Sequence, residues 1–201
     1  MNYRFSDLLG MGVKSEKGPR RKFGPFHYFK ALMLIDKEGR TGRAKLASEI
    51  GIGEGSIRTL LDDLESNSLI ARNNSGNVVT PEGKHVISSL PITIMPIRNC
   101  SLSLARHSSV AVVKSASRRV TNGIIQRDEA VRNGGVGATT LIVRKMCLYI
   151  PPEMKYVKDR VLENAVFGEM KASEGDVVII GSGDTAISSE IAVFSASLTL
   201  V

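Results

Sequence analysis

The stretch from Gly53 to Ile70, GEGSIRTLLDDLESNSLI, admits few structures. Its apolar residues Ile57, Leu60, Leu61 and Leu64 fall at i, i+3, i+4 and i+7, a single stripe on a helix, while Ser56, Arg58, Thr59, Asp62 and Asp63 lie off that stripe. One face therefore packs and the other is presented. A shorter helical pattern, Arg43 to Ile50, precedes it across the turn Gly51-Ile52-Gly53, and the pair reads as a helix-turn-helix.

The surrounding sequence fills in a small domain. Residues 1–25 hold a short possible helix around Phe5 to Leu9, then Lys14, Lys17, Arg20, Arg21 and Lys22 against only Glu16, interrupted by Gly18 and Pro19. Such a basic arm either lies along phosphates or is a solvated leader. Phe26 to Glu38 forms a supporting helix with Phe26, Phe29, Leu32 and Met33 at helical spacing and Gly39 as its stop; His27 reads as a packing residue. In the second helix Leu46, Ala47 and Ile50 face inward, which leaves Arg40, Arg43 and Lys45 to meet phosphate. Gly53 caps the third helix, Glu54 complements its dipole, and Gly55 removes a side chain where a DNA backbone would approach. Asn67 is a candidate left-handed C-cap. Beyond it, Leu69 to Arg72, the turn Asn73-Asn74-Ser75-Gly76, and Asn77 to Thr80 read as a strand, a tight turn and a strand. Thr80-Pro81 then restarts a helix that runs to Ser89, and Pro91 ends it.

The order of three helices, a two-stranded wing and a helix over residues 26–91 resembles the winged helix-turn-helix domains of bacterial and archaeal transcription regulators. The phrases LASEIGIGEGSIRTLLDDLESNSLI and VVTPEGKHV carry that resemblance. It implies double-stranded DNA as partner, base-edge reading by Ser56, Arg58 and Thr59, and backbone contacts by Lys45, Arg72, Asn74 and Lys84. One departure stands out: Asp62, Asp63 and Glu65 on the third helix repel phosphate, so contact is confined to its first turn and a half.

Residues 92–201 have another rhythm. Strands are expected at Ile92 to Ile97 and Ser109 to Lys114, and a helix over Arg118 to Asn133 with Val120, Ile124 and Val131 on its apolar side. A hairpin, Thr139 to Val143 and Cys147 to Ile150, turns at Arg144-Lys145-Met146 without the usual Asn-Gly. A helical piece is expected between Tyr156 and Phe167, a buried strand at Asp176 to Ile180, and a helix at Asp184 to Leu200 with Ile187, Ile191, Phe194 and Leu198 on one face. The whole is an α+β chain: a winged helix-turn-helix followed by a two-layer α/β sandwich. RDEAVRNGGVGATTLIV and GDVVIIGSGD resemble the second half of an uncharacterised archaeal family in which a winged helix precedes a GAD-like, DCoH-like domain. The resemblance implies architecture and no activity.

The remaining signals narrow the function. The net charge of +7 suits a polyanionic partner, but the excess of Lys and Arg is shared between the two halves and does not locate a site. Cys100 and Cys147 have neither a CxxC pair nor a nearby histidine, so no zinc site, disulfide framework or other cofactor is expected. MNYRFSDLLGMGV lacks an unbroken apolar core, and no apolar run approaches the roughly 20 residues of a membrane span. A cytoplasmic protein without membrane contact is expected. Gly134 to Gly137 reads as a helix stop, and Gly181-Ser182-Gly183 either as a helix N-terminus capped by Asp184 or as an anion cradle. Arg127, Asp128 and Glu129 read as a solvated face and His107 as part of a surface loop. With no catalytic constellation in sight, the expectation is a non-enzymatic, homodimeric DNA-binding regulator whose second domain dimerises or senses a small molecule. The alternative is a winged-helix interaction module of the transcription or RNA-processing machinery.

Overall fold

The computed structural model describes residues 23–39, 41–73 and 76–201. The expected short N-terminal helix, the basic arm up to Lys22, Arg40 and Asn74 lie outside the described residues. The chain divides into two compact units, Met1–Leu90 and Pro91–Val201.

The first unit contains α1 (Pro25–Glu38), α2 (Arg43–Ile50), α3 (Glu54–Ser66), β1 (Ile70–Asn73), β2 (Gly76–Val79) and α4 (Pro81–Ser89). The stripe Ile57, Leu60, Leu61 and Leu64 is buried as its spacing demands, and Tyr28, Leu32, Ile35, Leu46 and Ile50 of the same unit are buried too. On α1 the inward side is Tyr28, Ala31, Leu32 and Ile35, and Met33 is exposed, contrary to expectation. Met33 lies about 140° round the helix from Tyr28, off the side that Tyr28, Leu32 and Ile35 turn inward. Gly39 and Gly51 end α1 and α2 in the left-handed conformation. The left-handed residue after α3 is Ser68 rather than Asn67, whose side chain instead donates to the Asp63 carbonyl at 2.8 Å. β1 and β2 pair antiparallel in the register Ile70↔Val79 to Asn73↔Gly76. Thr80 caps α4 as expected, its hydroxyl accepting the Gly83 N–H at 3.1 Å.

His27 does more than pack. Its Nδ1 accepts the Gly24 N–H at 3.0 Å at the start of α1. Burial, assisted by Lys30, lowers its pKa below the ordinary 6.5. The unfolded chain therefore binds a proton that the folded chain resists, and this contribution to stability is present above about pH 6.5 and lost as pH falls through the lower folded value. Amide-exchange protection of α1 is expected to weaken between pH 7.5 and 5.5 in the wild type and to change less in His27→Ala. An equal pH response in the two proteins would refute the role.

The second unit contains β3 (Ile92–Ile97), β4 (His107–Val113), α5 (Ile124–Arg132), β5 (Gly137–Arg144), β6 (Cys147–Ile150), β7 (Lys155–Val157), α6 (Arg160–Glu163, continued by a π turn to Glu169), β8 (Val177–Gly183) and α7 (Ala186–Leu198). The six strands form one antiparallel sheet in the order β3-β4-β8-β5-β6-β7. Val110 pairs with Ile180 and Val112 with Val178, and these residues face Leu162, Ala165 and Val166 of the α6 segment. The alternate residues Ser109, Ala111, Ile179 and Gly181 face the other way, towards α7. The sheet is thus covered on both sides, so the expected two layers gain a short third.

Several elements depart from their sequence reading. The helix expected from Arg118 begins only at Ile124, after a left-handed Gly123, and buries Gln126 and Ala130, while Ile124 and Val131 are exposed. Three residues beyond the end of α5, Gly135 packs closely on α7: a Cβ there would lie 2.5 Å from that of Ala192. The helix expected over 156–167 is preceded by the extra strand β7. The Arg144–Cys147 hairpin takes Lys145 and Met146 at positive φ, the signature of a primed turn, without Asn-Gly. α7 is capped by Thr185, not Asp184: its hydroxyl accepts the Ser188 N–H at 3.0 Å. Its buried side runs through Ala192, Val193, Phe194, Ala196 and Ser197, with Ile187, Ile191 and Leu198 half-buried. No helix among the described residues is long and apolar enough to cross a membrane.

Candidate functional site

An open cleft of about 710 Å³ in the first unit is bounded by Thr41 and Gly42 before α2, by α3, and by the β1–β2 hairpin. Arg43, Arg58 and Arg72 converge on it from these three elements. Its walls are set by local chemistry. Gly42 and Gly53, both extended, cap α2 and α3, and the stripe of α3 leaves Arg58 outward. Two contacts distant in sequence then hold the walls together. Tyr28, fully buried, donates its hydroxyl to Asp63 at 2.5 Å and fixes α3 against α1. Asn77 of β2, also buried, donates to the Thr41 carbonyl at 3.1 Å and fixes the hairpin against the approach to α2. Sequence reading missed both, because a buried tyrosine and a strand asparagine have no pattern of their own.

The electrostatics differ from residue to residue. Among the described residues, neither Arg43 nor Arg58 has an ion-pair partner, and both are exposed. Arg72 lies 2.8 Å from Asp62 and 3.3 Å from Glu65. The carboxylates that would repel phosphate are therefore engaged: Asp62 and Glu65 by Arg72, and Asp63 by Tyr28. Lys45 pairs with Glu38 at 2.7 Å and Lys84 with Asp36 at 3.7 Å, and neither lines the cleft. The Lys45 hydrogen bond keeps the Glu38 carboxyl below its ordinary range. Ser56 is half-buried on the first turn of α3, and the exposed Thr59 donates back to the Gly55 carbonyl at 3.3 Å. The structure thus brings together Arg43, Arg58 and Arg72 but not Lys45 or Lys84; Arg40 and Asn74 lie outside the described residues.

In the second unit, Gly181-Ser182-Gly183 lies within β8, and its glycines admit the α7 backbone rather than an anion. The Ser182 hydroxyl accepts the Leu104 N–H at 3.0 Å and meets that of Ser108 at 2.9 Å. Asp128 pairs with Arg127 at 2.8 Å, and Glu129 pairs with Arg132, both on the exposed side of α5. Cys100 and Cys147 are free thiols; burial pushes the Cys100 pKa up and keeps it protonated. No group of three or more His, Cys, Asp or Glu among the described residues is arranged to hold a metal.

Comparison with known proteins bears on the second unit and on the fold. A family model described as a domain of unknown function, DUF4443, matches residues 104–200. Among solved structures, the chain is similar to "Hypothetical protein PH0730 from Pyrococcus horikoshii OT3", at 23% sequence identity and a TM-score of 0.67, over 87% of this chain and 91% of that one. At this identity the likeness shows the fold alone. The phrases at 127–143 and 175–184 lie inside the matched segment. No curated protein matches.

Proposed function

We propose that the chain is a sequence-specific DNA-binding transcriptional regulator, its first unit a winged helix-turn-helix that sets the start of α3 in the major groove. The observation that carries this reading is the convergence of Arg43, Arg58 and Arg72 on one cleft beside the exposed first turns of α3. Arg58, outward and without an ion-pair partner among the described residues, has the bidentate fork that reads a guanine edge, with Ser56 and Thr59 beside it. Arg43 meets phosphate at the groove's lip. Arg72 has two roles: it offsets Asp62 and Glu65, and, because exposed ion pairs are worth little, it can exchange a carboxylate for a phosphate. A homodimer follows from the small contact surface of one such module, since two half-sites multiply specificity.

Selection of bound fragments from a genomic DNA pool, at moderate and then high salt, tests the reading. The wild type is expected to enrich a recurring, palindromic site. Arg58→Ala is expected to lose about 1–3 kcal/mol of discrimination at one base pair of each half-site. Arg72→Ala is expected to weaken binding on all sequences, because it removes a phosphate partner and also exposes two carboxylates. Salt-labile binding without a recurring site, and an Arg58→Ala protein that behaves as wild type, would sink the proposal. One observation favours the second reading, a protein-interaction module: in the free protein, Arg72 is already held by acidic neighbours. That reading predicts no enrichment at any salt concentration.

A further inference from the structure

We propose that the second unit holds a binding site for a small organic anion, in a cavity between the loop after β3, the start of β4 and the N-terminal end of α7. The cavity measures about 570 Å³, the size of an ordinary small-molecule site. Arg98 and Arg106 of the loop and His107 of β4 line it, with Ser109, Ser189 and a single carboxylate, Glu190. Among the described residues, the side chains of Arg98, Arg106 and His107 make no hydrogen bond or ion pair. Two permanent guanidinium charges thus face one carboxylate, and the first turn of α7 adds the positive end of a helix dipole. A guanidinium fork matches the paired oxygens of a carboxylate or a phosphate.

The loop that carries the two arginines is held in place. Between Arg98 and Arg106, Ser101 donates its N–H and its hydroxyl to Asp159, each at 2.7 Å, and the Leu104 N–H donates to Ser182 at 3.0 Å. The loop backbone therefore needs little ordering when a ligand enters, and only the two exposed arginine side chains have to be immobilised. Ser109 and Ser189 are 1% exposed and bond to each other at 3.0 Å, so they close the floor of the cavity and leave the ligand to Arg98, Arg106 and His107.

The inference goes beyond the DNA-binding reading and does not depend on it, since the test contains no DNA. The full chain is titrated with glycerol 3-phosphate, with malate, and with sodium chloride at matched ionic strength, while its amide chemical shifts are followed. Saturable shifts confined to residues 97–109 and 186–190 are expected with at least one of the two organic anions, and whichever binds identifies the group as phosphate or carboxylate. The double variant Arg98→Gln, Arg106→Gln, altered at exposed positions that leave the fold intact, is expected to bind at least tenfold more weakly. Shifts that grow without saturation and match the chloride control would overturn the proposal. So would binding that is unchanged in the double variant.

Discussion

Replacing Gly181 by alanine is expected to destabilise the second unit by roughly 3 kcal/mol, the upper part of the range for overpacking a well-filled core. A Cβ at this position would lie 2.4 Å from the Val193 nitrogen and 2.7 Å from its Cα. These are backbone atoms of a 13-residue helix, so no side chain can rotate aside. The effect is one of space and not of dihedral strain, since Gly181 is absent from the positive-φ residues and sits in a regular strand. To make room, α7 would have to lift from β8, which also stretches the 3.0 Å contact between Ser109 and Ser189. Urea unfolding reads the outcome: the midpoint should fall while the slope stays constant. A loss under about 1 kcal/mol would mean that the helix is not seated this closely.

Asp176→Ala should rank second, with a loss of roughly 2–4 kcal/mol. Asp176 is 1% exposed and accepts four hydrogen bonds: Lys114 Nζ at 2.9 Å, the Ser115 N–H at 2.9 Å, and the Ser173 N–H and hydroxyl at 2.8 and 3.2 Å. Alanine leaves two backbone donors without acceptors. Lys114 is partly exposed and regains solvent, which keeps the loss below that of a fully buried pair. Burial alone would raise the Asp176 pKa, but the bonds from Lys114, Ser115 and Ser173 outweigh it and leave it below the ordinary 3.8. The folded carboxyl thus holds its proton less tightly than the unfolded one. Its contribution is complete above about pH 4 and is lost as pH falls through the depressed folded value. Asp159, held by the Leu162 N–H and by Ser101, follows the same sign and adds to the acid sensitivity. Stability measured from pH 7 down to pH 3 should therefore fall less steeply in Asp176→Ala than in the wild type. Parallel curves would show that the carboxylate is not held as described.

Much of the first unit was legible because its signals are local. The stripe of α3, the Thr80-Pro81 start of α4 and the glycine stops of α1 and α2 each depend on neighbours within about a turn. The candidate site was legible in part, since an off-stripe Arg58 must face outward. The resemblance grouped Lys45 and Lys84 with it, yet each is drawn to a carboxylate on α1, an attraction that depends on how helices pack. The second unit was harder. Val120, Ile124 and Val131 have helical spacing, but α5 buries Ala130 and Gln126 instead, and the Gln126 amide donates to the Thr199 hydroxyl at 2.7 Å, a tertiary contact that helical spacing does not record.

Periodicity in the sequence by itself determined most of the helices and strands, though not β7 or the start of α5, and for α3 which side faces inward, since a period of 3.6 or 2 is a property of the local backbone. Only the tertiary structure decided what each polar residue does. Tyr28 reaches Asp63 across 35 positions, Asn77 reaches Thr41 across 36, and Ser109 meets Ser189 across 80. It likewise made Gly181 a place for the α7 backbone rather than a cradle for an anion. Hydrogen bonds, ion pairs and close approach act over a few ångströms, and which groups come that close is settled only when distant elements pack.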